Sequence, residues 1–201
     1  MDTLLHRYAV ALTHLYGVLN KDRLHHIYNL YESPKASFQE IEALFQTENE
    51  SFLSDHHMEA RGDAIVLMGE EPFESNLDTL TLMKAKGLYY IPEKEELLRY
   101  ENESYVQKPL IYEEVRHHLL TYHFAGDEKK TDFFLEDLVN TLRFTGDYEC
   151  AISLIEEAYF KDGDDAMNED LVALTRELGK DIRMRKYRGY TEREVRELIK
   201  E

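Results

Sequence analysis

Four groups of residues in this 201-residue chain have the types that chemistry uses. Asp55-His56-His57 sets a carboxylate beside two imidazoles, a ligand set for divalent-metal phosphoester hydrolysis. That chemistry takes further Asp and His residues from the strands of a parallel sheet, and no alternation of strands and helices follows. The tripeptide reads instead as a polar edge beside a hairpin. His117-His118 with Tyr122 and His123 is the second group. His118 and Tyr122 share a helical face, but His118 and His123 stand five apart and do not, whereas zinc ligands on one helix sit at i and i+4. Surface or core histidines are expected there. Asp22 with His25 and His26 has good local spacing, but an acid at a helix start answers to the helix dipole. Cys150, the single cysteine, falls one turn into a helix starting at Asp147, where a thiol pKa can drop. Its neighbours Ala151, Ile152 and Leu154 predict a buried small apolar residue rather than a nucleophile.

Other catalytic patterns are missing. The paired acids Glu113-Glu114 and Glu156-Glu157 are adjacent in helices and so diverge, while general acid–base work takes convergent carboxylates. No glycine run between a strand and a helix cradles a phosphate, and HExxH and GxSxG do not occur. One cysteine excludes an internal disulfide and any multi-thiolate zinc site. The expectation is a non-enzyme without metal or cofactor, with a hydrolase whose site is assembled only by the fold as a lesser alternative.

A fifth group is electrostatic. The net charge is −17, and both halves share it: residues 1–100 carry 9 Lys and Arg against 17 Asp and Glu, residues 101–201 carry 15 against 24. Lys180 to Tyr190, KDIRMRKYRGY, runs the other way, with five bases and one acid. Arg183, Arg185, Lys186 and Arg188 lie within six residues, beside Tyr187 and Tyr190. Two readings stand. The four cations pair with the chain's own acids, of which residues 101–178 hold 19 against 7 bases. Alternatively the four cations and two tyrosines form a docking strip for an acidic protein or RNA, the rings stacking on a base or covering an apolar contact. In a helix, 183 and 186 would share one face, 185 and 188 another. The broad acidity repels phosphates, so nucleic acid is the disfavoured partner.

These groups need elements to hold them. The length allows one large domain or two small ones, and a domain near this size buries roughly 70% of its unfolded-chain surface. Fourteen Tyr and nine Phe supply an aromatic core without Trp. No window approaches the roughly 20 apolar residues of a membrane span. The N-terminus, MDTLLHRYAVALTH, has neither a basic n-region nor a small-residue cleavage site and reads as a helix. A cytoplasmic location without a membrane partner is the default.

Ala9 to Tyr31 predicts two amphipathic helices around a short turn, spanning Thr3 to Tyr16 and Lys21 to Tyr31. Gly17 stands at a helix C-terminus and Asn20 at an N-cap. Ser33-Pro34 ends the second helix. Ser37-Phe38-Gln39-Glu40 is a capping box that opens a third, Phe38 to Gln46, with Phe38, Ile41 and Leu44 or Phe45 inward. Phe52-Leu53 and the run Ala64 to Met68, separated by Arg61-Gly62-Asp63, predict a hairpin. Three helices and a hairpin are the element order of a winged helix. A helix over Leu77 to Lys86 follows, then an extended Leu88 to Ile91 and a helix with Pro92 at its first position. A boundary falls near residue 105. Behind it, helices are expected over Leu110 to Phe124, Thr131 to Phe144, Tyr148 to Phe160 and Met167 to Leu178, with a polar turn at Asp162 to Asp165. A capping box, Thr191 to Glu194, opens the last helix. The fold expected is mainly α: a winged-helix-like domain over 1–105 packed against an all-helical domain over 106–201. Leu12, Leu15, Ile27, Ile41, Leu44, Leu135, Leu138, Ile152 and Ile155 are its expected core.

Four pieces of the chain carry a resemblance: Leu15-Tyr16-Gly17-Val18; Ile27-Tyr28-Asn29; Tyr90-Ile91-Pro92-Glu93 leading to Leu98 through Tyr105; and Asp181-Ile182-Arg183-Met184 through Arg188-Gly189-Tyr190-Thr191. Together they resemble a group of uncharacterised intracellular helical proteins of Gram-positive bacteria, some of which carry a cysteine-rich SEC-C zinc motif. This chain, with Cys150 alone, departs from the group on zinc, so no contact implied by that motif carries over. The resemblance implies a helical fold of unassigned role. The function expected is a non-catalytic protein–protein interaction protein, an adaptor or regulator with an unknown protein partner; a winged-helix nucleic-acid-binding regulator is the alternative.

Overall fold

Thr3 opens the first helix: its hydroxyl accepts the His6 N–H at 3.3 Å, and apolar residues at three-to-four spacing behind it face inward. The computed structural model describes residues 3–46, 50–69, 87–160 and 167–200. They are mainly helical, with one small sheet. They divide into two compact units, residues 1–105 and 106–201. Among the described residues no helix is long and apolar enough to cross a membrane.

In the first unit, α1 (Leu4–Tyr16) stops at Gly17, whose φ of 75° suits glycine and whose N–H returns to the Thr13 carbonyl at 2.7 Å. Then come β1 (Val18–Asn20), α2 (Lys21–Tyr31), α3 (Phe38–Leu44), α4 (Glu50–Asp55), β2 (Met58–Arg61), β3 (Ala64–Leu67) and α5 (Lys94–Arg99). The sheet is antiparallel in the order β1-β3-β2, with Leu19 and Ala60 both opposite Ile65. Tyr8, Leu12, Leu15, Leu24, Ile27, Ile41 and Ile65 are buried together between helices and sheet. Each aliphatic side chain so buried is worth about 1.5–3 kcal/mol. The Ser37–Glu40 capping box is formed, Glu40 Oε2 accepting the Ser37 N–H at 2.7 Å.

Five local expectations change here. Val18–Asn20 is a strand, and Phe52-Leu53 belongs to α4 rather than to the hairpin. Asn20 takes the N-cap position without a side-chain hydrogen bond. Phe38 is 42% exposed: it lies in the first turn of α3, beyond the core that Ile41 and Leu44 enter, and its ring meets His25 edge-on at 5.7 Å. Pro92 precedes α5 instead of starting it, with Glu93 at the N-cap. The helix expected over Leu77 to Lys86, and the turn at Asp162 to Asp165, lie outside the described residues.

Residues 89–105 are tied to α1 and α2 by side chains. The Tyr16 hydroxyl donates to the Tyr90 carbonyl at 2.7 Å and that of Tyr31 to the Pro92 carbonyl at 2.6 Å. Buried Tyr8 donates to Glu32 Oε1 at 2.6 Å, and Lys94 Nζ reaches the same oxygen at 2.7 Å. Burial pushes the Glu32 carboxyl up, but the hydrogen bonds from Lys94 and Tyr8 outweigh it and hold the group below the usual carboxylate range.

The second unit contains α6 (Leu110–His118), a π turn (Leu119–His123), α7 (Glu128–Thr145), α8 (Tyr148–Tyr159), α9 (Glu169–Asp181), a 3-10 turn (Arg185–Tyr187) and α10 (Glu192–Lys200). The expected single helix from Leu110 to Phe124 therefore switches to π geometry, the Phe124 N–H reaching back five residues to the Leu119 carbonyl at 2.9 Å. Asp127, Asp147 and Asn168 cap α7, α8 and α9 through their side chains. Leu135, Leu138, Leu142, Ile152, Ile155 and Leu171 fill the core around Phe134, whose ring stands 4.8 Å from that of Tyr159. Cys150, expected to be buried, is exposed. The buried face of α8 is Ala151, Ile152 and Ile155, while Cys150 and Leu154, four apart, share the solvent face.

Candidate functional site

Helical spacing gives α9 two faces. Leu171, Thr175 and Leu178 turn inward; Asp170, Ala173, Leu174 and Glu177 follow one another along the other side at i, i+3, i+4 and i+7. Across from that side stand His118, at the end of α6, and Tyr122, in the π turn. Together with Asn168 these residues line an open groove of about 610 Å³. Asn168 joins the two walls: its Oδ1 accepts the Leu171 N–H at 2.8 Å, capping α9, and lies 3.2 Å from His118 Nε2. The His118 ring lies 4.8 Å from that of Tyr122, tilted by 47°. Tyr122 is 69% exposed.

The electrostatics of the groove are acidic and uneven. Glu177 is held by Lys180 at 2.5 Å and Arg193 at 3.4 Å, and the hydrogen bond from Lys180 keeps its carboxyl below the usual range. Asp170 has no ion-pair partner among the described residues. No nucleophile stands beside a base among the residues that line the groove.

The basic strip sits elsewhere in the unit and is not an α-helix. Arg183, with 12% of its side chain exposed, donates to Gln107 Oε1 at 2.6 Å, to the Gly189 carbonyl at 3.0 Å and to Glu194 Oε2 at 2.9 Å. Glu194 also accepts the Thr191 N–H at 2.8 Å, so the capping box of α10 and the arginine close one loop. Arg185, Lys186 and Tyr187 form the 3-10 turn, and Arg188 and Gly189 follow with φ of 53° and 81°. Lys186 Nζ donates to the Gly146 carbonyl at the end of α7 and lies 4.6 Å from the Tyr187 ring centre. A Cβ on Gly146 would meet Lys186 Cδ at 2.5 Å. Burial lowers the Lys186 pKa and raises that of Tyr187. The Tyr190 carbonyl accepts the Met184 N–H at 3.1 Å. Arg183 thus binds its own loop and the start of α10, and Lys186 the end of α7.

The remaining groups stay apart. His56 leans on Phe52, its Nδ1 at 3.0 Å from the Phe52 carbonyl, and His57 Nδ1 is 3.8 Å from Glu103. His25 meets Phe38 edge-on, and Asp22 lies in the first turn of α2. Among the described residues no three His, Cys, Asp or Glu side chains gather as a metal site. The groove itself was half legible: His118 and Tyr122 are readable as one helical face, and α9 carries the spacing of the other. Comparison of the chain with protein-family models, with curated proteins and with solved structures found no match.

Proposed function

We propose that the chain is a non-catalytic protein–protein interaction protein of the cytoplasm, an adaptor or regulator that engages its partner along α9. The observation that carries this reading is the groove: an exposed aromatic ring facing exposed Ala173 and the half-buried edge of Leu174. An aromatic ring among apolar groups with a polar rim has the composition of an interface centre. The resemblance to helical proteins of Gram-positive bacteria belongs to the same proposal. Several residues that carry it, Tyr16, Tyr90 and Arg183 among them, hold the fold together and lie outside the groove. The test is a photo-crosslinking benzoylphenylalanine at position 122. In living cells it should give discrete protein adducts that the same group at exposed Phe133 does not give, and Ala173→Arg, at an exposed position, should remove them. Equal adducts at both positions, or none, would end the reading.

One observation favours a second reading, a winged-helix nucleic-acid regulator. A short strand after the first helix that joins a later hairpin in the order β1-β3-β2 supports it. The charge opposes it: α3 and α4 carry Glu40, Glu42, Glu50 and Asp55 and no base, where a reading helix meets phosphates. Saturable binding to duplex DNA at physiological salt would reverse the order of the two readings.

A further inference from the structure

We infer that the α9 groove takes a basic amphipathic helix of a partner protein, with an apolar side chain on Ala173 and Leu174 and a lysine or arginine head between Tyr122, His118 and Asp170. This rests on the reading of the groove as a protein-binding face, and adds the chemistry of what binds.

The argument starts from spacing. Asp170 and Glu177 are seven residues apart, about 10 Å along the helix axis, and the apolar pair lies between them. The groove side of α9 therefore runs from one acid through exposed Ala173 and half-buried Leu174 to a second acid. The wall opposite is aromatic, with Tyr122 and His118 at 4.8 Å. Ring faces attract a cation electrostatically, and a nearby carboxylate strengthens the preference. No Lys or Arg lines the groove. Of its two carboxylates, Glu177 is engaged by Lys180 and Arg193, which leaves Asp170, on the Asn168 side, as the charge to be answered. A phosphate or an acidic segment would meet that carboxylate without a counter-charge.

Size selects a segment over a lone ion. About 610 Å³ is in the range of sites of about 300–1,000 Å³ that hold several groups at once. Helix-in-groove recognition uses anchors on one face of the bound helix, so the segment presents its cation at i and its apolar anchors at i+3 and i+4.

The test uses the full chain and a fluorescein-labelled helical peptide with Arg at i and Leu at i+3 and i+4 in an Ala/Gln background. Controls replace Arg by citrulline, which has the same shape without charge, or Leu by Ser. Binding should saturate, with amide shifts centred on Tyr122, Ala173 and Leu174. Citrulline should weaken it about tenfold, or about 1.4 kcal/mol, and serine more. Asp170→Asn should weaken the Arg peptide to a similar extent and leave the citrulline peptide unchanged, which isolates the pair. An unchanged melting temperature for that variant separates the effect from folding, and Glu177→Gln gives a second reading of the acidic rim. Three outcomes overturn the inference: Glu136→Gln on distant α7 weakening the Arg peptide as much as Asp170→Asn does, which is bulk charge attraction; tighter binding of a Glu-for-Arg peptide; or a wild-type dimer in sedimentation that Ala173→Arg dissociates, which makes a second copy the occupant. If the peptide fails while crosslinks at position 122 persist, the basic-helix inference falls alone. If both fail, the protein-binding reading falls with it.

Discussion

In the first unit, two tyrosine hydroxyls tie distant backbone, Tyr16 at the Tyr90 carbonyl and Tyr31 at that of Pro92, beside the His14 ring at the Tyr100 carbonyl and Arg23 at that of Gly87. In the second unit cations take this part: Lys186 at the Gly146 carbonyl and, over six residues, Arg183 at that of Gly189. The cores behind them are alike, each aliphatic around a fully buried aromatic, Tyr8 in the first and Phe134 in the second. A phenol ties two segments without bringing a charge out of water. A guanidinium ties more strongly but needs an anion, which Glu194 supplies for Arg183. Two similar cores can therefore answer differently to salt and acid, according to the donors that fasten their loops.

The largest effect should come from the core and be indifferent to these donors. Leu138→Ala should cost about 2–5 kcal/mol, read as lost amide protection in α7 and α8. A loss below about 0.5 kcal/mol would place Leu138 at the level of a surface residue. Arg183→Gln comes next: about 1.5–3 kcal/mol at low salt, from hydrogen bonds to a charged group in a nearly buried setting. The cost should shrink in high salt as the pair with Glu194 is screened. Equal costs at both salt concentrations would break the comparison.

Glu32→Gln probes the charged exception in the first unit and should cost about 1–2 kcal/mol at neutral pH. The Glu32 carboxyl is held below its unfolded value. Its contribution is therefore complete above the ordinary carboxylate range and is lost as pH falls through the lower folded value. Melting curves of wild type and variant should converge in acid; a gap that persists there would show that shape, not charge, holds the contact. Smallest are Tyr16→Phe and Tyr31→Phe, about 0.5–1.5 kcal/mol each and the same at low and high salt. A salt-dependent loss at either tyrosine would erase the distinction between the units.

Period and local capping were readable from the chain. Leu12, Leu15, Ile27, Ile41, Leu44, Leu135, Leu138, Ile152 and Ile155 are all buried, because amphipathic spacing reports which face of a helix turns inward. Both capping boxes formed, since each is completed within four residues. What escaped was non-local or lacked a residue signature. β1 is three residues long, too short for alternation, and is a strand because β3 pairs with it. Phe38 and Cys150 are apolar types next to core residues in sequence but off the buried face. The groove depends on His118 meeting Asn168, 50 residues away, a proximity that no local pattern encodes.

The π turn has a rotational consequence. A helix that reaches back five residues holds one more residue than its rise accounts for, so everything beyond is turned by about 100° relative to a continuous α-helix. In a continuous α-helix residues five apart lie about 140° from one another, so either Leu119 or Phe124 would leave the core; the wide turn keeps both buried. The surplus residue is taken up within the turn, and His118 and Tyr122 keep their shared face with ring centres 4.8 Å apart.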